Sequence, residues 1–319
     1  MPTWSEIGKE INVTTAELGA PSIDIIRRKY LEKLHKHTKR NVILYASAWC
    51  QKPNSPPGLL TIIDEDMQGI MEVIHGLEKI PTDLILHSPG GSPEAAEGIV
   101  NYLHAQFPEI RVIIPHLAMS AATMIACSSS EIIMGKHSSI GPVDPQIIIT
   151  NPNPNHPQTS NPAQAIIDQF YLALKEVNDF DKRSWAILLE HYGPSLIIQC
   201  KNYIDMSKTL VKEWLLKYMF NTNPKKISLA QKEKNEALAN DISTYLSNHD
   251  EFKSHGRHIS REKAKAIGLY IRNLEDDDIM QDLVLSIFHA TTLTFGMSYA
   301  CKIIENHIGK AFVKIAPLA

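Results

Sequence analysis

Short apolar segments and longer amphipathic segments alternate between residues 41 and 134 of this chain. The apolar segments predict four strands: Asn41–Trp49, Asp83–His87, Arg111–Pro115 and Glu131–Met134. Apolar residues at helical spacing predict the helices between them: Asp64–Leu77, Pro93–Gln106 and Ser120–Ser128. Strands without a polar face are typical of a parallel sheet that helices cover on both sides. We therefore predict an α/β fold in which right-handed crossovers link β-α-β units.

The pattern changes after Gln146. Residues 151–162 are rich in Asn and Pro, and we predict a surface loop there. Helical periodicity then predicts six helices: Ala163–Val177, Trp185–His191, Asp205–Phe220, Ser228–Leu246, Ser260–Ile267 and Asp276–Phe295. We expect four parts along the chain: an N-terminal helical segment at 1–40, the β-α-β core at 41–150, a helical insertion at 151–250, and a core-closing helix with C-terminal helices at 251–319.

The composition narrows the range of partners and compartments. A net charge of −3 over 319 residues gives no basic surplus for a nucleic acid partner. The first residues lack the pattern of a signal peptide, and no stretch reaches the roughly 18 apolar residues of a membrane span. The cysteines are far apart in the sequence, without metal-binding spacing: Cys50, Cys127, Cys200 and Cys301. We expect a cytoplasmic protein with free thiols, no membrane span and no cofactor.

A serine with potential chemistry follows the third predicted strand. Ser120 stands among the small residues Ala118, Ala121 and Ala122, at the start of a predicted helix. A serine hydroxyl becomes a nucleophile when a neighbouring base takes its proton and backbone amides stabilise the oxyanion. The N–H groups at the start of a helix can supply that stabilisation. Ser120 is therefore a candidate nucleophile, although an ordinary helix N-cap has the same local sequence.

Two further loops carry candidate site residues. Gly90 and Gly91 follow a predicted strand, where glycine lets the backbone approach a ligand closely. We expect the N–H groups of Gly91 and Ala121 to bind the oxyanion. Asp144 lies between two prolines, and a restrained backbone suits a carboxylate that orients a base. A tight turn and a solvated loop aspartate are the alternative interpretations of these two loops.

Fourteen histidines leave the choice of base open on local sequence alone. His87, His116 and His137 flank the proposed site, whereas His255 and His258 lie much later in the chain. A histidine on an apolar strand, such as His87 or His116, is more often a packed, hydrogen-bonded residue than a catalytic one. The sequence contains no His-Glu-x-x-His, Cys-x-x-Cys or glycine-rich phosphate-binding motif, so we predict neither a metal site nor a nucleotide site.

Together, these motifs resemble the Clp-protease/crotonase superfamily. They are Ser-Pro-Gly-Gly-Ser at 88–92, Ala-Met-Ser-Ala-Ala at 118–122 and the loop around Asp144, followed by a closing helix within 259–269. Within that superfamily the chain is most similar to the serine dehydrogenase proteinase family, through segments 26–31, 141–146 and 302–312. The resemblance covers residues 22–314 and implies that the core is a Clp/crotonase-like spiral of β-α-β units.

The resemblance also implies a serine peptidase with the catalytic triad Ser120, Asp144 and His255, in that chain order. Asp144 occupies the loop where the Clp peptidases carry histidine, and His255 falls near the position of their aspartate. This selects His255 over the other histidines, with His258 as the alternative. In the implied acyl transfer, His255 takes the Ser120 proton, Asp144 orients His255, and the oxyanion rests on the two backbone amides named above.

The same residues are compatible with other activities. The related signal-peptide peptidases use a Ser–Lys dyad, for which Lys136 or Lys175 would supply the base. A crotonase-type acyl-CoA enzyme would use the same oxyanion site without a nucleophile, and a catalytically inactive scaffold would bind a partner through the helical insertion. Because the superfamily assembles into trimers or larger rings, we expect a homo-oligomer that acts on a protein or peptide substrate. Leu283–Phe295 is a candidate interface helix, although core packing explains its apolar character equally well.

Overall fold

The computed structural model describes residues 2–19, 22–150, 158–176, 195–221 and 228–316. Its strands are β1 Asn41–Ser47, β2 Thr82–His87, β3 Ile110–Ile114, β4 Leu117–Ala118, β5 Ile132–Met134, β6 Ser139–Ile140, β7 Gln146–Thr150, β8 Gln158–Pro162, β9 Ile259–Ser260, β10 Ile271–Asn273, β11 Ala300–Asn306 and β12 Ala311–Ile315. Its α-helices are α1 Trp4–Leu18, α2 Ile23–Thr38, α3 Pro57–Leu60, α4 Asp66–Ile74, α5 Pro93–Gln106, α6 Ala121–Cys127, α7 Ala163–Glu176, α8 Leu196–Trp214, α9 Leu229–Ser247, α10 His249–Phe252, α11 Arg261–Ala266 and α12 Asp278–Met297. A π-helical turn, Leu215–Met219, continues α8, and a 3-10 turn, Leu274–Asp276, precedes α12.

A seven-stranded sheet forms the centre of the molecule, in the order β10-β5-β3-β2-β1-β11-β12. Strands β10, β5, β3, β2 and β1 run parallel, whereas β11 is antiparallel to β1 and β12 is antiparallel to β11. Every residue of β1 and β2 is buried. The structure thus confirms the predicted α/β fold with a mostly parallel sheet.

Alternate residues of β1 face two separate hydrophobic cores, which explains why this strand has no polar face. Ile43 and Tyr45 pack in a core with helices α4, α5, α6, α8 and α9. Val42 and Leu44 pack on the other face, with residues of α2 and α12. Core packing therefore accounts for the buried apolar residues of α12, which lie between Met280 and Phe295. Among the described residues, no helix is both long and apolar enough to cross a membrane.

The C-terminal segment differs from the helices predicted for it, because a β-hairpin follows α12. Strand β11 pairs with β1 from Ile43↔Asn306 to Ser47↔Lys302, and β12 extends the sheet beyond it. All of β11 is buried although it contains Lys302 and Glu305. Each of these charges has a buried counter-ion: Asp66 for Lys302 and Arg27 for Glu305. Two charges within seven residues hide the apolar pattern of a buried strand.

The prediction of a surface loop at 151–162 is wrong for residues 158–162. Gln158–Pro162 forms β8, which pairs antiparallel with the apolar strand β7. An extended apolar partner gives this polar segment a ladder of hydrogen bonds that its own composition does not predict. Residues 151–157 and the predicted helix Trp185–His191 lie outside the described residues. Helix α8 begins earlier than predicted, at Leu196.

Candidate active site

A cavity of about 440 Å³ lies beside the loops that follow β2 and β4. Ser120, Gly91 and His255, which are far apart in the sequence, all line it. Asp144 does not line the cavity but contacts His255 from the protein interior. A larger cavity, of about 650 Å³, is lined by other residues and holds none of the predicted site residues, so size alone does not identify the site.

Ser120 has a backbone conformation that L-amino acids rarely adopt. Its φ is 52° and its ψ is −122°, a combination that favours glycine. It occupies the N-cap position of α6, yet its side chain makes no capping hydrogen bond. The hydroxyl group is therefore not committed to the role of an ordinary N-cap. Backbone outliers of this kind cluster at active sites, where the surrounding structure holds them in place.

Hydrogen bonds hold the chain on both sides of Ser120. Met119 N–H donates to the Ser88 carbonyl at 3.0 Å, which ties this turn to the loop after β2. The hydroxyl group of Thr123 donates to Ala118 O at 2.8 Å and accepts from Gly141 N–H at 3.0 Å. Thr123 thus connects the serine turn to the loop that carries Asp144.

The carboxylate of Asp144 is buried, with 3% of the residue exposed, and it binds the imidazole of His255. Asp144 Oδ1 lies 2.7 Å from His255 Nδ1. A carboxylate on Nδ1 fixes the tautomer that carries its proton there, which leaves Nε2 unprotonated. Because His255 lines the cavity, this arrangement can present a base to the reacting groups.

Two residues that the sequence did not single out bind the other oxygen of Asp144. Gln146 Nε2 donates to Asp144 Oδ2 at 3.1 Å, and His249 Nδ1 lies 3.2 Å from the same oxygen. Gln146 is two positions from Asp144, a spacing that could have suggested the contact. His249 begins the short helix α10, and its position in the sequence gives no sign of a contact with Asp144. Together these contacts fix the carboxylate in one orientation.

The loop of Gly90 and Gly91 packs against Ile62 through a parallel β-bridge. Ile62 N–H donates to Gly90 O at 2.8 Å, and Ser92 N–H donates to Ile62 O at 2.9 Å. In such a pairing the N–H of the middle residue points away from the partner strand. The N–H of Gly91 therefore points away from Ile62, and Gly91 itself lines the cavity.

Both glycines are required by space as well as by conformation. Gly90 has a φ of 94°, and a Cβ atom there would lie 2.6 Å from Ser120 Cβ. Gly91 has a φ of 153°, and a Cβ atom there would lie 2.3 Å from Ile62 O. Ala121 follows Ser120 as the first residue of α6, so its N–H has no acceptor within the helix. The glycine loop thus packs, through Gly90, directly against the turn that carries Ser120 and Ala121.

The other histidines considered from the sequence occupy different surroundings. His258 is exposed. Among the described residues, the histidines that bond to Asp144 are His249 and His255. His87 is buried, with Nδ1 3.1 Å from Leu117 O, and burial lowers its pKa to about 3. Burial also lowers the pKa of His116. Of the two histidines that contact Asp144, only His255 also lines the cavity that holds Ser120, which favours His255 as the base.

The lysines of the alternative dyad lie elsewhere. Lys136 and Lys175 are both exposed. Within the part of the chain that the structure describes, no lysine lines the cavity that holds Ser120. The geometry therefore favours a histidine over a lysine as the partner of this serine.

Comparison with known proteins gives one family match and several partial likenesses. Residues 24–181 match the sequence model of the family described as ClpP-like SDH-type serine proteinase. This segment contains Gly91, Ser120 and Asp144, and His255 lies beyond it. Two proteins of Methanocaldococcus jannaschii, both described as uncharacterized, are similar to parts of the chain. One is 46% identical over 84 residues (26% of this chain, 29% of the relative), and the other is 39% identical over 116 residues (36% of each).

The chain spans about a third of the length of these two relatives. Among solved structures, a 1510-N membrane-bound stomatin-specific protease mutant is similar to 66% of this chain and 74% of its own, with a TM-score of 0.34 and 18% sequence identity.

Proposed function

Over residues 24–181 the chain belongs to the ClpP-like, SDH-type serine proteinases, and we propose that it cleaves peptide bonds by acyl transfer through Ser120. One observation carries this proposal: the Asp144–His255 contact of 2.7 Å, beside a cavity that both His255 and Ser120 line. A buried carboxylate on one nitrogen of an imidazole whose other nitrogen serves a serine is the arrangement of a catalytic triad.

In the first half of the proposed reaction, His255 Nε2 takes the hydroxyl proton while Ser120 Oγ attacks the carbonyl carbon of the scissile peptide bond. The N–H groups of Gly91 and Ala121 stabilise the negative charge on the carbonyl oxygen. His255 then gives its proton to the leaving amine, and the C–N bond breaks to leave an acyl ester on Ser120. A water molecule, deprotonated by His255, hydrolyses the ester and restores the serine.

Apolar side chains line the same cavity and indicate which substrates it favours. They include Met124, Val143, Ile148 and Tyr203. Ile148 belongs to β7 and Tyr203 to α8, so residues beyond the parallel sheet form one wall of the cavity. We expect a peptide with an apolar side chain next to the scissile bond to fit best, because burial of that side chain is favourable.

Labelling by a fluorophosphonate probe, which reacts with activated serines, tests the proposal. We expect the wild-type protein to be labelled and Ser120→Ala to remain unlabelled. His255→Ala and Asp144→Asn lose the base or its orientation, and we expect labelling to slow by roughly 10³-fold or more. Two matched controls, Ser160→Ala at the same cavity and His258→Ala on the same loop, should be labelled like the wild type.

Circular dichroism and thermal unfolding establish whether each variant is folded. A folded wild-type protein that the probe does not label would contradict the proposal. So would a Ser120→Ala variant that is labelled as fast as the wild type, because the reactive serine would then lie elsewhere. Turnover of an acyl-CoA that survives Ser120→Ala would instead support the crotonase-type alternative.

A further inference from the structure

Three residues at or beyond the ends of separate strands place metal-binding atoms close together. The Sγ atom of Cys50 and one ring nitrogen each of His87 and His116 lie within 4.8 Å of one another. We propose that these residues bind a transition-metal ion, with Zn²⁺ as the best match to one thiolate and two imidazoles. None of the three lines the cavity that holds Ser120, so this site is separate from the proposed peptidase site.

The buried ring of His87 supplies the observation that points to a ligand. His87 is 1% exposed, and among the described residues its Nε2 atom has no hydrogen-bond partner. Leu117 offers its C=O at 3.1 Å and its N–H at 3.4 Å to Nδ1. Donation from Nδ1–H to the nearer C=O leaves a lone pair on Nε2, whereas the other tautomer would bury an Nε2–H without an acceptor. A neutral imidazole with a free Nε2 lone pair is a metal ligand.

The surroundings of the three side chains suit a metal with an open coordination position. The rings of Trp49 and Phe288 pack against His87, with centroid distances of 6.0 and 5.1 Å. They form an apolar wall, which strengthens the bonds between a metal ion and its ligands. On the other side Cys50 is exposed, which gives an ion a path of entry and leaves room for a water molecule as the fourth ligand.

Only a small movement closes the site. Bond lengths of about 2.3 Å to sulfur and 2.0 Å to nitrogen place tetrahedral zinc ligands about 3.5 Å apart. The observed limit of 4.8 Å therefore requires an adjustment of at most about 1 Å between any two of the ligand atoms. The Cys50 thiol gives its proton to solvent as the S–metal bond forms.

The positions of the ligands in the fold say what the metal would do. Cys50 follows β1, His87 ends β2, and His116 stands between β3 and β4. His87 directly precedes the loop of Gly90 and Gly91, and His116 precedes the short strand that leads to Ser120. A bound ion would hold together three strand ends next to the serine turn, and we expect it to stabilise the folded protein.

Titration of the full chain with Co²⁺ after chelator treatment tests the site, because Co²⁺ replaces zinc and reports its ligands by absorption. We expect one equivalent to give the spectrum of a tetrahedral ion with a thiolate charge-transfer band. Cys50→Ser should abolish that band, and His116→Ala should weaken binding at least about tenfold. His137→Ala, a histidine close by but outside the three, is the matched control and should bind like the wild type.

Thermal unfolding with Zn²⁺ provides a second readout that does not depend on peptidase activity. The midpoint should rise for the wild type and for His137→Ala but not for Cys50→Ser, which replaces an exposed side chain and leaves the core intact. A cobalt spectrum that is unchanged in Cys50→Ser would overturn the proposal, since another group among the histidines would then bind the ion. Absence of binding by the folded wild type would overturn it as well.

Discussion

Ser120 combines a side chain that the proposed chemistry needs with a backbone that favours glycine. Its φ of 52° and ψ of −122° are costly for any residue with a Cβ atom. The neighbouring backbone is held by Thr123 and Ser88, so the chain cannot relax into a more common conformation. The strained turn keeps the hydroxyl free of the capping bond that an N-cap serine usually makes.

The strain predicts an unusual order of stability at this position. Ser120→Gly releases it, whereas Ser120→Ala keeps the Cβ atom, so we expect the glycine variant to be more stable by about 1 kcal/mol. Urea unfolding measures the difference, and neither variant should react with the probe. At Ser128, where φ is −84°, the same pair of substitutions should show the reverse order. Equal stability of the two Ser120 variants would mean that the turn is not strained.

At the residue scale, the sequence singles out those site residues that belong to recognisable motifs. Ser120, Gly91 and Asp144 stand in such motifs, and the family resemblance adds His255. His249 belongs to none, because its contact with Asp144 depends on how the preceding helices pack. The same holds for the proposed metal ligands. Their spacing along the chain is long and matches no metal-binding pattern, although the fold brings them together.

At the scale of elements, strand β11 supports the loop that holds Gly91. Lys302 Nζ donates to Thr61 O at 2.6 Å and lies 2.7 and 2.8 Å from the two carboxylate oxygens of Asp66. The next residue, Ile62, forms the bridge with Gly91. A buried ion pair on a C-terminal strand thus fixes the segment against which a proposed oxyanion donor packs.

Replacement of Lys302 should lower the stability of the folded protein. We expect Lys302→Met to lower the free energy of unfolding by about 3–5 kcal/mol, because it leaves the buried Asp66 carboxylate without its closest counter-ion. Lys36→Met is the matched control, since Lys36 pairs with Glu32 at the surface and its loss should cost less than about 1 kcal/mol. Denaturant unfolding at neutral pH compares the two. Similar small costs for both would show that the buried pair does not anchor β11.

The strands of the parallel sheet were predicted from their apolar pattern, whereas β11, whose burial depends on distant partners, was not. The strands from β1 to β5 that build the parallel sheet are apolar runs, and the helices between them have a clear apolar face. Strand β11 carries Lys302 and Glu305, whose counter-ions Asp66 and Arg27 are 236 and 278 residues away in the sequence. A local pattern shows charges there but not the partners that make their burial possible.

At the scale of the whole molecule, His104 joins the core to the helices that follow it. Its Nε2 lies 2.8 Å from Ser128 O, at the end of α6, and its ring stacks on Tyr218 with a centroid distance of 3.5 Å. Tyr218 belongs to the π-helical turn after α8. Burial between these elements lowers the pKa of His104 from its ordinary 6.5 to about 4.

The lowered pKa of His104 makes the stability of the folded protein depend on pH. Between about pH 6.5 and 4 the unfolded chain binds a proton at His104 that the folded chain does not, so stability falls as the pH falls through that range. Urea unfolding at a series of pH values gives the free energy of unfolding as a function of pH. We expect His104→Gln to reduce the slope of that curve by the equivalent of about one bound proton. His75→Gln changes an exposed histidine and should leave the slope unchanged. An identical slope for His104→Gln would contradict the assignment.

The overall α/β architecture was predictable because alternating strands and helices, together with the family resemblance, allow few arrangements. The packing of the helices after residue 163 against the sheet could not be predicted in the same way. Contacts such as the stack of His104 on Tyr218 join residues with no shared motif, and their pairing is decided by shape.

The pairing of β1 with β11 makes the order of synthesis important for the candidate site. A nascent chain that has reached residue 299 already contains Ser120, Asp144 and His255, yet it lacks Lys302 and the strand that covers the edge of β1. The segment behind Gly91 gains its buried anchor only after β11 has left the ribosome. A product that terminates before residue 302 is thus deprived of that anchor.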